Sequence, residues 1–158
     1  MNKKTRFLTQ SALIASLYVA LTLVSASMGL ASGAIQVRIS EALTIMPVFT
    51  PVAIPGLFIG CLAANLITGA ALWDIVFGAI ATLLGAVGTY LLRKHRVLAL
   101  IPPILSNTLI IPFVLKIAYG VEEGYSFLFF TIFIGELISC GVFGTLLSKA
   151  LEKTKIFD

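Results

Sequence analysis

The strongest constraint on this chain is where charge is missing. Six stretches run almost free of charged side chains, at about residues 7–28, 38–49, 52–70, 73–92, 97–118 and 125–151. Most approach the roughly 20 residues that a helix needs to cross the hydrocarbon of a bilayer. Of the 158 residues, 59% are apolar and only 11% charged, against about 25% charged in a soluble domain. Too little polar surface exists to cover a water-soluble fold. A soluble enzyme, a disordered chain and a nucleic-acid-binding module are excluded. The sequence predicts an all-α integral membrane protein, one membrane domain over residues 1–158 built as a six-transmembrane-helix bundle.

The charges that remain set an orientation. Threading six spans with the N-terminus inside places Lys3, Lys4, Arg6, Arg93, Lys94, Arg96, Lys149, Lys153 and Lys155 on the inner side. Only Arg38 and Lys116 then fall outside. Cytoplasmic loops carry the excess of Lys and Arg, so N-in and C-in is expected. His95 lies within the run Arg93–Arg96 and reads as a solvated member of it. The first apolar run, about 22 residues, is too long for the core of a cleaved signal peptide, about 7–15. It is therefore read as the first span. Cys61 and Cys140 lie in apolar stretches, without CxxC or metal spacing, and read as small buried thiols.

The second segment is too short to cross alone. Pro47, Pro51 and Pro55 follow or end it, and proline removes a helix donor. A half-length or tilted helix returning through a proline-rich turn is expected. Such backbone survives in a membrane only where protein or a wet cavity covers it.

Ionisable groups inside spans cost about 2.5–3.5 kcal/mol on insertion scales, and so they ask for a purpose. Glu136 stands about 11 residues into the last span, about 16 Å deep at 1.5 Å per residue. Asn107 is near mid-depth in the fifth span, and Asn65 in the outer half of the third. Glu41 lies inside the outer end of the second, and Trp73 and Asp74 open the fourth. These residues occupy one layer, from the mid-plane to the outer surface, which implies a pocket open outward. Structural roles stand beside this. Arg38 and Glu41, three apart, can simply pair on one helix face. Asn65 and Asn107 can be interhelical glue. Trp73 can be an interfacial anchor, and Asp74 a favourable charge near a helix N-terminus. Glu136 has no neutralising partner on its own helix. Thr131, Gly135, Ser139 and Cys140 flank it as a small polar stripe.

On the first span Ala12, Ser16 and Ala20 recur every fourth residue, with Ser11 and Ala15 beside them. Small residues so spaced let another backbone approach, within the bundle or from a partner. No GxxxxGK[ST] phosphate loop, HExxH, Cys/His cluster or GxSxG elbow occurs in the sequence. Binding or transport fits better than catalysis, so no enzyme and no cofactor or metal are expected.

The blocks Gln36-Val37-Arg38-Ile39-Ser40-Glu41-Ala42-Leu43 and Pro47-Val48-Phe49-Thr50-Pro51 are informative in order. They are followed by Gly56-Leu57-Phe58-Ile59-Gly60-Cys61, Asn65, Asp74-Ile75-Val76-Phe77-Gly78, Pro102-Pro103, Asn107 and Gly135-Glu136. In these the chain resembles the queuosine-precursor transporter family, substrate-binding (S) components of energy-coupling factor (ECF) transporters. The resemblance implies a six-helix membrane fold with an outward pocket. Its cargo would be a queuosine precursor, a deazaguanine such as preQ1 or preQ0. It implies as partners a membrane-embedded T component and two cytosolic ATPase subunits, which hydrolyse ATP in place of the missing phosphate loop. Ala12, Ser16 and Ala20 would dock the T component.

For such a cargo Glu136, then Glu41, would accept from the N–H and exocyclic amine of a guanine-like edge. Asn107 or Asn65 would meet the ring carbonyl, and Trp73 would stack on the ring. Asp74 would take a cationic aminomethyl group, and Arg38 would orient Glu41. The alternatives are the same scaffold with another vitamin or nucleobase, or a stand-alone proton-coupled secondary transporter with Glu136 as relay. An intramembrane enzyme is the weakest reading.

Overall fold

The computed structural model describes residues 2–31 and 35–154; Lys155, among the inner-side cations above, lies outside them. Among the described residues there is no strand. Four helices are long and apolar enough to cross a membrane: α1 (Lys3–Ser27), α3 (Leu72–Leu91), α4 (Leu98–Tyr119, its first turn tightened) and α5 (Tyr125–Thr154). Two shorter ones complete the six, a 3-10 helix (Ile39–Val48) and α2 (Ala53–Ile67). Their order and positions follow the six apolar stretches.

The surface is apolar and the centre is polar, the reverse of a soluble fold. Leu8, Leu13, Leu84, Leu109 and Phe130 are exposed, while Tyr18, Thr22, Ser25, Ser40, Glu41 and Thr44 are buried. Lipid rather than water is the natural solvent for such an exterior.

The second segment is a short helix followed by a proline-containing turn, as expected, but its winding is not α-helical. It winds as a 3-10 helix through the middle of the bundle, with every residue from Ser40 to Pro47 buried. At about 2.0 Å per residue, ten residues of this winding cover about 20 Å, against about 15 Å for an α-helix. Its start is held by hydroxyls of its neighbours. Ile39 N donates to Ser25 Oγ (2.9 Å), Arg38 N to Ser139 Oγ (3.1 Å), and Thr22 Oγ1 to Ser40 Oγ (2.9 Å). Ser25 of α1 and Ser139 of α5 thus satisfy backbone that a helix end would otherwise leave bare, and Thr22 ties down the Ser40 side chain.

Close packing around this axis depends on glycine. A Cβ on Gly56 would stand 2.8 Å from the Ser11 carbonyl, and one on Gly60 2.8 Å from Tyr18 Cβ. Gly56, Gly60 and buried Ala64 form a small-residue face on α2 against α1. A Cβ on Gly135 would collide with the Gln36 carbonyl, so the segment before the 3-10 helix rests directly on α5.

The ends of α1 and α2, the start of α3, the end of α4 and the start of α5 gather at one end of the bundle, here the distal end. Gly69 and Gly120 stop α2 and α4 there in left-handed conformation, with φ of +71° and +61°. The proximal end carries Lys3, Lys4, Arg6, Arg93, Lys94, Arg96, Lys149 and Lys153. There Arg96 pairs with Glu152 and lies over the Phe49 ring.

Candidate functional site

The carboxylates of α5 and of the 3-10 helix meet at the centre. One ligand atom each of Glu41, Glu136 and Cys140 lie within 4.8 Å of one another. Glu41 is 2% exposed. Its Oε1 accepts from the Tyr18 hydroxyl of α1, and its Oε2 from Asn107 Nδ2 of α4 at 3.5 Å. The Cys140 thiol donates to Glu136 Oε2 at 3.1 Å. Residues 137–143 of α5 are wound as a π-helix directly after Glu136. That wider winding carries Ser139 and Cys140, and π turns inside α-helices recur at functional sites.

Glu41, Asn107 and Glu136 line one cavity with Gln36, Arg38, Cys61, Gly78, Thr82, Ile111 and Ile132. It measures about 20 Å³, room for one water molecule. Drug-sized ligands occupy pockets of roughly 300–1,000 Å³, so in this conformation the cup is contracted. Two neighbouring carboxylates offer only acceptors and repel each other. An ammonium, a metal cation or a pair of N–H donors between them relieves that repulsion. Glu41, Glu136 and Cys140 are the residues placed to hold such a group.

Not every residue of the expected layer reaches this cup. Glu136, Asn107, Glu41 and Arg38 do. Arg38 makes no ion pair with Glu41 within 4 Å, so the simple helix-face pairing is absent. Asn65 and Asp74 line a separate distal cavity of about 260 Å³, which Arg38 also borders. Asn65 Nδ2 donates to the Asp74 carbonyl at 3.3 Å, tying α2 to the start of α3. Asp74 Oδ2 accepts from the Tyr119 hydroxyl at 2.9 Å.

Trp73 does not line the cup. It is 53% exposed, lies on Phe77 with ring centroids 5.6 Å apart, and faces an outer groove with Leu109 and Phe113. An interfacial anchor is the role this position suits.

Ala12, Ser16 and Ala20 are all exposed along the outer face of α1. Ser16 Oγ turns back onto the Ala12 carbonyl at 2.8 Å, which leaves the stripe flat and apolar.

Tyr18, Gly78 and Thr82 were missed by the sequence reading. For Tyr18 a signal existed. Ser11, Tyr18, Thr22 and Ser25 recur at helical spacing, a polar stripe opposite the exposed small one.

Residues 8–153 match the family model described as QueT transporter. The chain belongs to the QueT transporter family. Its match covers nearly the whole sequence, so the resemblance carried by the blocks from Gln36 to Glu136 holds along the fold. No curated protein and no solved structure matches the chain. As a QueT-family member the protein is a membrane transporter. The apolar exterior and the polar cup at the heart of the bundle agree with that.

Proposed function

We propose that this QueT-family protein is the substrate-binding component of an ECF transporter and captures a deazaguanine queuosine precursor in the Glu41–Glu136–Asn107 cup. The observation that carries this reading is the convergence of two carboxylates and an amide at one buried point. Glu136 is the better placed of the two for cargo. Both oxygens of Glu41 already accept from protein donors, whereas Glu136 takes the Cys140 thiol on Oε2 and has the Asn107 amide beside it. A guanine-like edge presents an N–H and an exocyclic amine side by side, and a carboxylate accepts both. Asn107, between α4 and Glu41, has its amide oxygen left to meet a further donor.

In this reading the six helices all span, both termini are cytoplasmic, and the distal end faces outward. The basic proximal end then lies inside, as the Lys and Arg bias asks. The exposed stripe of Ala12, Ser16 and Ala20 is where a T component docks, and two ATPase subunits supply the energy. The contracted cup must widen to load, so binding and a shift of the surrounding helices are one event.

Three measurements test the reading. Mass spectrometry of small molecules released from the purified protein should find a deazaguanine. Uptake in cells should stop when the ATPase subunits are removed. Uptake that persists without them and collapses with an uncoupler would establish the proton-coupled alternative. Stabilisation by an unrelated vitamin instead, in a thermal-shift panel, would reassign the cargo.

A further inference from the structure

The carboxylate of Asp74 is buried, 6% exposed, yet only half satisfied. Oδ2 accepts from Tyr119, while Oδ1 has no hydrogen-bond partner. A buried carboxylate oxygen without a donor is costly, more so than an ordinary unpaired polar atom. It borders the distal cavity of about 260 Å³, which Asn65, Thr68, Tyr119 and Arg38 also line. The cup beneath has about 20 Å³. In this conformation a small ring has room above Arg38 and none below.

The two spaces adjoin at Arg38 and at Gly78. Arg38 lines both. Gly78 lines the cup, and a Cβ on it would stand 3.0 Å from Asn65 Nδ2 and 3.3 Å from Asp74 Oδ1. The missing side chain of Gly78 therefore lets Asn65 and Asp74 close tightly over the cup, so they and Arg38 separate the two spaces. A second distal cavity, of about 360 Å³ between α4 and α5, is lined mainly by Leu115, Val121, Phe127 and Leu128 and has no buried carboxylate.

We propose that Asp74, with Asn65, Tyr119 and Arg38, forms an outer subsite, distinct from the cup, that first receives the ammonium group of an incoming small amine. The ammonium supplies the donor that Oδ1 lacks, and Arg38 and the Tyr119 hydroxyl face the polar edge of the attached ring. The guest then passes Gly78 into the cup as Arg38, Asn65 and Asp74 part and the cup opens. This rests on the cargo reading above. It adds that the subsite acts on the rate of arrival, because a charge met early on the path alters association more than dissociation.

The test is binding kinetics on the full chain in lipid nanodiscs with two probes: a deazaguanine bearing an aminomethyl group, and the same ring bearing a neutral nitrile. The wild type should bind both, with the amine associating about tenfold faster. Asp74→Asn keeps an acceptor for Tyr119 and should remove that advantage while leaving the nitrile's association rate unchanged. Equal association of the two probes in the wild type overturns the subsite, whether or not Asp74→Asn folds. So does an Asp74→Asn variant that retains the amine's advantage, or that slows both probes alike. Failure of the wild type to bind either probe removes the cargo assignment and the subsite with it.

Discussion

The Tyr18 hydroxyl donates to Glu41 Oε1 and so joins α1 to the 3-10 helix at the base of the cup. Tyr18 is 1% exposed. On the opposite side of the same helix Ala12, Ser16 and Ala20 lie exposed. One helix therefore carries both the support for the Glu41 carboxylate and an exposed stripe of small residues.

Tyr18→Phe keeps the ring and removes the donor. A buried carboxylate oxygen loses its partner, which costs about 1.5–3 kcal/mol for a bond to a charged group. The variant should melt several degrees lower in detergent, and cargo affinity should fall because Glu41 is no longer fixed. Melting and titration equal to wild type would mean that this hydrogen bond holds nothing.

Gly60→Ala tests the α1–α2 contact. The new methyl would stand 2.8 Å from Tyr18 Cβ and 3.0 Å from the Ala15 backbone. Backbone cannot rotate aside, so α1 must move outward, at about 1–3 kcal/mol for overpacking. A lower melting temperature is expected, whereas Gly29→Ala, with open space around its Cβ position, costs only its backbone conformation. A Gly60→Ala variant as stable as wild type would contradict the tight contact.

Ser16→Phe places a bulky side chain on the exposed stripe, away from the cup. Cargo binding by the isolated protein should stay unchanged within about twofold, since exposed sites away from special features perturb energy little. Co-purification with the T component and uptake should be lost. Retained assembly would move the docking surface elsewhere.

Depth was legible from the sequence; direction was not. Counting residues from the ends of the apolar runs put Asn107 and Glu136 near mid-depth but Glu41 just inside the outer end of its segment, whereas the structure brings all three together. It gave Trp73 and Asp74 the same height, and there it could not discriminate. Adjacent helical residues point about 100° apart, so Asp74 turns inward while Trp73 turns to the outside. The second segment misled for a different reason. Its proline signals are real, but the 3-10 winding depends on hydroxyls from α1 and α5, which are distant in sequence. Gly56, Gly60 and Ala64 carried a readable small-residue pattern; attention went instead to the stripe on α1, which faces outward.

In the proposed reading Glu136 grips the guanine-like edge, with Glu41 beside it shaping the cup. Calorimetric titration of an aminomethyl deazaguanine into purified wild-type protein, Glu136→Gln and Glu41→Gln tests it most directly. Losing one charge-assisted bond, about 1.5–3 kcal/mol, corresponds to tenfold or more in affinity. The expected result is tight binding to wild type and at least tenfold weaker binding to Glu136→Gln, with Glu41→Gln weakened as well and both variants still folded. Unchanged affinity in both variants, or no heat with wild type, would contradict it.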